Sequence, residues 1–278
     1  MLNLNYLPLK KISPASMVRF KIILFLSFTL PVLFSSFIFL KKNKPVFYII
    51  GDSTVKNGDG TGRNNQMGWG SVIAPFFDTT KIEIQNQAIG GRSSRTFITE
   101  GRWDKILSTL KKDDYVIMQF GHNDASPLDD TARARGTIRG IGNDSTEIYN
   151  PIRKMKEMVH TYGWYMRKYV REAKAKGAIP IVCSLIPREN WKEGKIIRSD
   201  DSWALWAKQV AEQERAYFID LNETIAARYE EMGEEQVHKF FPADHTHTNL
   251  EGAKLNAEIV ASELKRINPG KIKRFMRS

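Results

Sequence analysis

Val46-Phe-Tyr-Ile-Ile-Gly-Asp-Ser-Thr-Val55 runs from five consecutive apolar or aromatic residues directly into a Gly-Asp-Ser-Thr turn. A strand exposed on one face alternates apolar and polar side chains, whereas an unbroken run is the pattern of a strand covered on both faces. Further strand-like runs follow at Ile82–Asn86, Tyr115–Gln119, Ile179–Ser184 and Tyr217–Asp220. Between them lie stretches with helical character, around Ser71–Phe77, Trp103–Leu110, Tyr162–Lys176, Ser202–Glu214 and Glu251–Arg266. Such alternation predicts an α/β fold: a three-layer α/β/α, flavodoxin-like arrangement with a five-stranded parallel sheet in a single domain. In such sheets the working residues lie on loops at the carboxyl ends of the strands.

The loops bear this out chemically. Gly51-Asp52-Ser53-Thr54 presents a serine at the end of the first strand, although Asp-Ser-Thr is also ordinary turn chemistry. A serine hydroxyl at its free pKa is a poor nucleophile, so a catalytic reading requires a general base, a group that orients it and donors for the oxyanion. Asp244-His245-Thr246-His247 supplies the first two on one loop: His247 to take the proton from Ser53, Asp244 to fix the tautomer of the ring. The same quartet also reads as cap chemistry or metal ligands, but His122, His160 and His238 have no paired spacing and a catalytic metal site needs three protein ligands. No metal and no cofactor are expected. Thr248-Asn-Leu-Glu251 matches a capping box at the start of the last helix.

Two more loops supply donors. Ala88-Ile-Gly-Gly-Arg-Ser-Ser-Arg95 offers the backbone of Gly91, which can approach a developing charge with no Cβ in the way, and Gly121-His-Asn-Asp124 offers the side chain of Asn123. A tight turn at Gly90-Gly91, or an anion nest around Ser93 and Ser94, stays open at this point. Neither a phosphate-cradling loop nor a G-x-S-x-G elbow occurs in the chain. Arg92, Arg188 and Trp191 are candidate substrate contacts, because guanidinium forks suit carboxylates and aromatic faces suit sugars; a surface Arg and a core-rim Trp are the plain alternative.

The net charge of +11 belongs to the ends of the chain. Residues 1–50 and 265–278 together hold thirteen of the 42 Lys and Arg and none of the 31 acids, leaving a near-neutral body that argues against nucleic-acid binding. Ile22–Leu40 is apolar or hydroxylic throughout and follows Arg19 and Lys21, so residues 1–45 are expected to be a signal peptide or N-terminal membrane anchor and the protein to be exported. Residues 46–268 then form the domain and 269–278 a basic tail. Cys183, the single cysteine, sits in an apolar run and reads as a buried small side chain. Ala125–Asn150 has no sustained period and reads as a long loop or excursion.

Taken together, the Ser53, Gly91, Asn123 and Asp244/His247 blocks resemble the SGNH (GDSL-type) hydrolase superfamily, and more closely the rhamnogalacturonan acetylesterases, over roughly Val46 to Leu264. The resemblance implies an oxyanion hole made of the Ser53 amide, the Gly91 amide and the Asn123 side chain. It also implies removal of acetyl groups from an acetylated polysaccharide, most closely rhamnogalacturonan (pectin). A short-chain lipid or thioester hydrolase of the same superfamily, and a carbohydrate-binding protein without catalysis, are the two rival readings.

Overall fold

The structure, a computed structural model, describes residues 44–278. The expected export segment Ile22–Leu40 lies outside the described residues. Among those described, no helix is long and apolar enough to cross a membrane. In chain order the elements are β1 (Val46–Gly51), β2 (Glu83–Asn86), α1 (Ser94–Thr99), α2 (Arg102–Thr109), β3 (Tyr115–Gln119), β4 (Ser145–Asn150) and β5 (Met155–His160). They continue with α3 (Tyr162–Ala175), β6 (Ile179–Cys183), β7 (Trp191–Lys192), β8 (Lys195–Ile196), α4 (Trp203–Gln213), β9 (Tyr217–Ile219), α5 (Leu221–Met232), α6 (Glu234–His238) and α7 (Leu250–Ile267).

The main sheet has five strands in the order β2-β1-β3-β6-β9, all parallel. Helices cover both faces, which is why β1 and β3 read as continuous apolar runs. Phe47, Ile49, Tyr115 and Ile117 face one core with Leu221, Tyr229, Val260 and Leu264; Val46, Tyr48, Ile50, Val116 and Met118 face the other with Trp103, Met166, Tyr169 and Val210. Because β2 lies on one side of β1 and β3 on the other, the chain reverses direction across the sheet at β1/β3. A crevice opens at the carboxyl ends of these two strands.

Several segments depart from the sequence reading. Ser71–Phe77 is not a helix but parts of two 3-10 turns, Trp69–Ser71 and Ala74–Phe76. Pro75 cannot donate, and the amides of Trp69 and Gly70 are spent on the carbonyls of Thr54 (3.1 Å) and Val55 (3.0 Å), so the segment is bonded to the serine loop instead of to itself. Helix α5 begins directly after the edge strand β9: Asp220, read as the end of that strand, instead accepts the amide of Glu223 as helix cap. Thr248 does not cap α7. Asn249 does, accepting from the Gly252 amide at 3.1 Å, while the only capping box among the described helices is that of Ser93 and Thr96 at α1.

Residues 145–160, part of which reads as loop, form the antiparallel hairpin β4–β5. Arg95, fully buried, holds it. Its Nε donates to Glu157 of β5 at 2.7 Å and its Nη1 to the carbonyls of Leu128 (2.8 Å) and Gly136 (2.9 Å), so one side chain ties α1, the 125–144 segment and the hairpin together. A period cannot reveal a strand whose partners are set by a distant arginine. Residues 269–278 are likewise no free tail: Ile272 and Phe275 are buried in the core, and the Arg277 amide donates to Phe76 at 2.9 Å.

Candidate active site

The serine turn is built from its own side chains. The Asp52 carbonyl accepts the amides of Val55 (3.1 Å) and Lys56 (3.0 Å), and its Oδ1 accepts the amide (2.9 Å) and hydroxyl (2.7 Å) of Thr54. Gln119 at the end of β3 donates to Thr54 Oγ1 at 2.6 Å and accepts from the Trp69 indole at 2.8 Å, fixing the turn against the neighbouring strand. Gly51 is required there, since a Cβ would meet the Gln119 carbonyl at 2.6 Å. Burial of Asp52 raises its pKa, against the lowering effect of the Thr54 bonds. Ser53, half-buried, is left at the turn's apex.

The histidine arrives on a loop clamped to the same region. The Met67 amide donates to the Thr248 carbonyl at 2.7 Å and the Thr248 hydroxyl to the Met67 carbonyl at 3.1 Å. Asp244 Oδ1 accepts the amides of Thr246 (2.7 Å) and His247 (2.8 Å), which sets the loop's curvature, and Oδ2 lies 2.8 Å from His247 Nδ1. A carboxylate only accepts, so Nδ1 carries the hydrogen. Nε2 is then a lone-pair acceptor, and it sits 2.8 Å from Ser53 Oγ. Partial burial opposes the charge of Asp244, but the His247 ring, with the His247 and Thr246 amides, outweighs it and draws the carboxyl down to about 2.

One member of this constellation has no signal in the sequence. Gln66 Nε2 donates to Asp244 Oδ2 at 3.0 Å, and Asn57 and Asn64 in turn donate to Gln66 Oε1 at 3.0 Å and 2.9 Å. Gln66 is separated from Asp244 by 178 positions, and only the fold reveals it. Removing it leaves Asp244 with one fewer donor to hold its plane against the ring. Gln66→Ala is expected to reduce kcat on an activated ester roughly tenfold, the equivalent of one charge-assisted hydrogen bond of about 1.5 kcal/mol. Steady-state kinetics with circular dichroism as a folding check measures it.

Gly91 lies beside the serine in a left-handed conformation (φ 77°), and the Cβ position of Gly90 is 3.5 Å from Ser53 Cβ. Among the described residues neither the Ser53 nor the Gly91 amide is spent on a protein acceptor. Asn123 Nδ2 donates one hydrogen to the Arg92 carbonyl at 2.9 Å and lines the same cleft. Ser93 and Ser94 are not an anion nest. Ser93 caps α1, and Ser94 donates its hydroxyl to Asp124 Oδ1 at 2.5 Å. The cleft, about 770 Å³, includes Ser53, His247, Gly91, Asn123, Arg92 and Arg188 in its walls. Arg92 pairs with Glu100 at 3.1 Å, and Arg188 bonds Thr246 Oγ1 and stands 3.1 Å from His245 Nε2. Trp191 is elsewhere: it packs half-buried against the core on the short β7–β8 hairpin and does not line the cleft, because its indole covers apolar surface.

Asp124 fixes the Asn123 loop from beneath. Fully buried, it is pushed up to about 7 by desolvation, against the Ser94 hydrogen bonds, with the charge of Asp52 adding to the rise. A carboxyl whose folded pKa is raised keeps its proton where the unfolded chain has lost it. Between about pH 4 and 7 the unfolded state therefore binds fewer protons and stability falls as pH rises, levelling off above about 7. Asp124→Asn lacks this dependence. Its urea midpoint relative to wild type is expected to move in the variant's favour from pH 4 to pH 7, at about 1.4 kcal/mol per unit of displaced pKa. A pH-independent difference would contradict the assignment.

Residues 49–255 match the family model described as GDSL-like Lipase/Acylhydrolase family. The rhamnogalacturonan acetylesterase of Emericella nidulans is 34% identical over 202 residues, covering 72% of this chain and 80% of that protein. The probable rhamnogalacturonan acetylesterase YesY of Bacillus subtilis is 34% identical over 226 residues, covering 79% and 92%. Among solved structures, Bacillus subtilis YxiM superposes with a TM-score of 0.65 at 28% identity, over 81% of this chain, which spans 57% of that larger protein. An acetylxylan esterase from Geobacillus stearothermophilus shares the fold, with a TM-score of 0.52 at 17% identity over 79% of this chain and 94% of the other. With this match extending from within β1 to within α7, and so from the serine turn through the Asp244–His247 loop, the chain belongs to the GDSL-like lipase/acylhydrolase family, and is a carboxylic ester hydrolase.

Proposed function

We propose that the protein is a serine esterase that removes acetyl groups from a plant cell-wall polysaccharide, rhamnogalacturonan (pectin), through an acyl-enzyme on Ser53. The observation that carries this reading is the unbroken relay from Asp244 through His247 to Ser53, with both links at 2.8 Å. His247 Nε2 takes the hydroxyl proton as Ser53 Oγ adds to the acetyl carbonyl. The oxyanion so formed lies between the Ser53 and Gly91 amides and the Asn123 side chain. Collapse of that intermediate breaks the bond to the sugar oxygen, which receives the proton from His247 and leaves as an alcohol. Water then repeats the sequence on the acyl-enzyme, giving acetate and free Ser53.

The pectic substrate is supported by the acetylesterase relatives at 34% identity and by a cleft whose walls are rich in arginine and amide groups. A lipid or thioester hydrolase would need a broad apolar channel instead. Since a cell-wall polymer is met outside the cell, this function also fits export directed by Ile22–Leu40, and an anchor there would keep the enzyme at the membrane. The test is acetate release by the intact chain from acetylated rhamnogalacturonan and from acetylated xylan. Release from the pectic polymer at least tenfold faster supports the assignment, equal release keeps the esterase and discards pectin, and no release from either sinks the function proposed.

A further inference from the structure

Four arginines line the cleft against a single acid, Glu100. Arg92 shares Glu100 with Arg102, and Arg188 is engaged by Thr246 and stands against His245. Arg133 and Arg135 have no ion-pair partner among the described residues, and Arg135 bonds neutral oxygens alone. Both come from the 125–144 segment, and both converge on the glycine beside the nucleophile: a Cβ placed on Gly91 would lie 2.3 Å from Arg133 Nη1 and 3.7 Å from Arg135 Nη1. Two guanidinium groups thus share one spot. Arg135 is half-buried, its Nε donating to Ser126 Oγ at 2.9 Å and its Nη1 reaching the Gly91 carbonyl at 3.4 Å. Burial, and then the like charge of Arg133, lower its pKa. Arg133, exposed in the cleft wall, bonds through its backbone amide alone among the described residues. Asp130 of the same segment, whose charge partly offsets the fall at Arg135, has Oδ1 occupied by the amides of Ala132 (2.9 Å) and Arg133 (2.7 Å).

Holding two cations together with no carboxylate bonded to either is unfavourable, and a bound carboxylate relieves it with charge-assisted, forked hydrogen bonds. We propose that Arg133 and Arg135 form a carboxylate subsite of the ester-hydrolase cleft, taking a uronate carboxylate of the bound polysaccharide, so that the enzyme selects acidic over neutral polysaccharide. The proposal rests on the acetylesterase reading for its substrate and adds the residues that discriminate. It also gives the 125–144 segment a role, since Arg95 anchors it from behind by bonding the carbonyls of Leu128 and Gly136, close in sequence to the two arginines.

The direct test is calorimetric titration of the full-length protein with an unacetylated galacturonate oligomer and with the same oligomer after its carboxyls are reduced to alcohols. The wild type is expected to bind the carboxylate form about ten- to a hundredfold more tightly. In the Arg133→Gln/Arg135→Gln double variant the ratio is expected to fall to near one while the reduced oligomer binds as before. Equal binding of the two oligomers by the wild type, or a ratio unchanged in the variant, overturns the subsite. A second readout is the ratio of kcat/KM on acetylated pectic polymer before and after carboxyl reduction, which is expected to collapse in the variant in the same way. Equal loss on both polymers would place the arginines at the reacting centre and overturn the proposal. The titration is independent of turnover: carboxylate-selective binding without acetate release leaves the subsite standing and refutes the pectic acetylesterase reading, whereas release without carboxylate preference does the reverse.

Discussion

Replacing Ser53 by alanine is expected to abolish ester hydrolysis and leave the fold untouched. Ser53 Oγ has one hydrogen-bond partner, His247 Nε2, and the turn that carries it is held by Asp52, Thr54 and Gln119, none of which uses the serine hydroxyl. A half-buried side chain with so few contacts costs at most about 0.5 kcal/mol of stability on truncation. The chemical step, by contrast, loses its nucleophile. In acyl-transfer triads removing that group lowers kcat on the order of 10⁴- to 10⁶-fold, the remainder coming from donors and binding alone. Turnover of 4-nitrophenyl acetate, with thermal unfolding measured alongside, provides the comparison. Activity within tenfold of wild type at an unchanged unfolding temperature would remove Ser53 from the mechanism.

Asp244→Asn is expected to be nearly as damaging, for a reason legible in its hydrogen bonds. Asp244 uses all of its capacity as an acceptor: Oδ1 takes the two loop amides, and Oδ2 takes His247 Nδ1 and Gln66 Nε2. An asparagine that keeps its oxygen on the loop amides turns an NH₂ group towards two other donors. Gln66 must then rotate, and His247 must move its proton from Nδ1 to Nε2. In that tautomer the ring cannot accept the proton of Ser53, so the loss in kcat is expected to be on the order of 10³- to 10⁴-fold with little change in KM. Measuring kcat and KM separately is decisive, because a mere weakening of the loop would raise KM as well. Nitrogen NMR of His247, with the label distinguishing Nδ1–H from Nε2–H, reads the tautomer directly.

The amino-acid sequence determined the architecture and the places of the residues that meet in the cleft. Uninterrupted apolar runs such as Phe47–Ile50 and Tyr115–Met118 require cover on both faces, and their alternation with helical stretches points to a parallel sheet between two helical layers, which provides it. The residues Ser53, Gly91, Asn123, Asp244 and His247 were each legible because every one lies close in sequence to the end of a strand or the start of a helix that periodicity marks, so local pattern fixes its address. Tertiary structure alone decided what depends on distant partners. Gln66 meets Asp244 across 178 positions, Arg95 meets Glu157 across 62 and calls a hairpin out of a stretch with no period, and Trp69 and Gly70 give their amides to the serine loop where a helix would have kept them. Trp191, a sugar-stacking candidate by residue type, is core cover by position, while Arg133 and Arg135, unremarkable in the chain, are brought to the glycine beside the nucleophile. The physical division is one of range: apolar periodicity and turn chemistry act over a few residues and can be read along the chain, whereas a hydrogen bond between remote side chains exists only once the fold has brought donor and acceptor within about 3 Å.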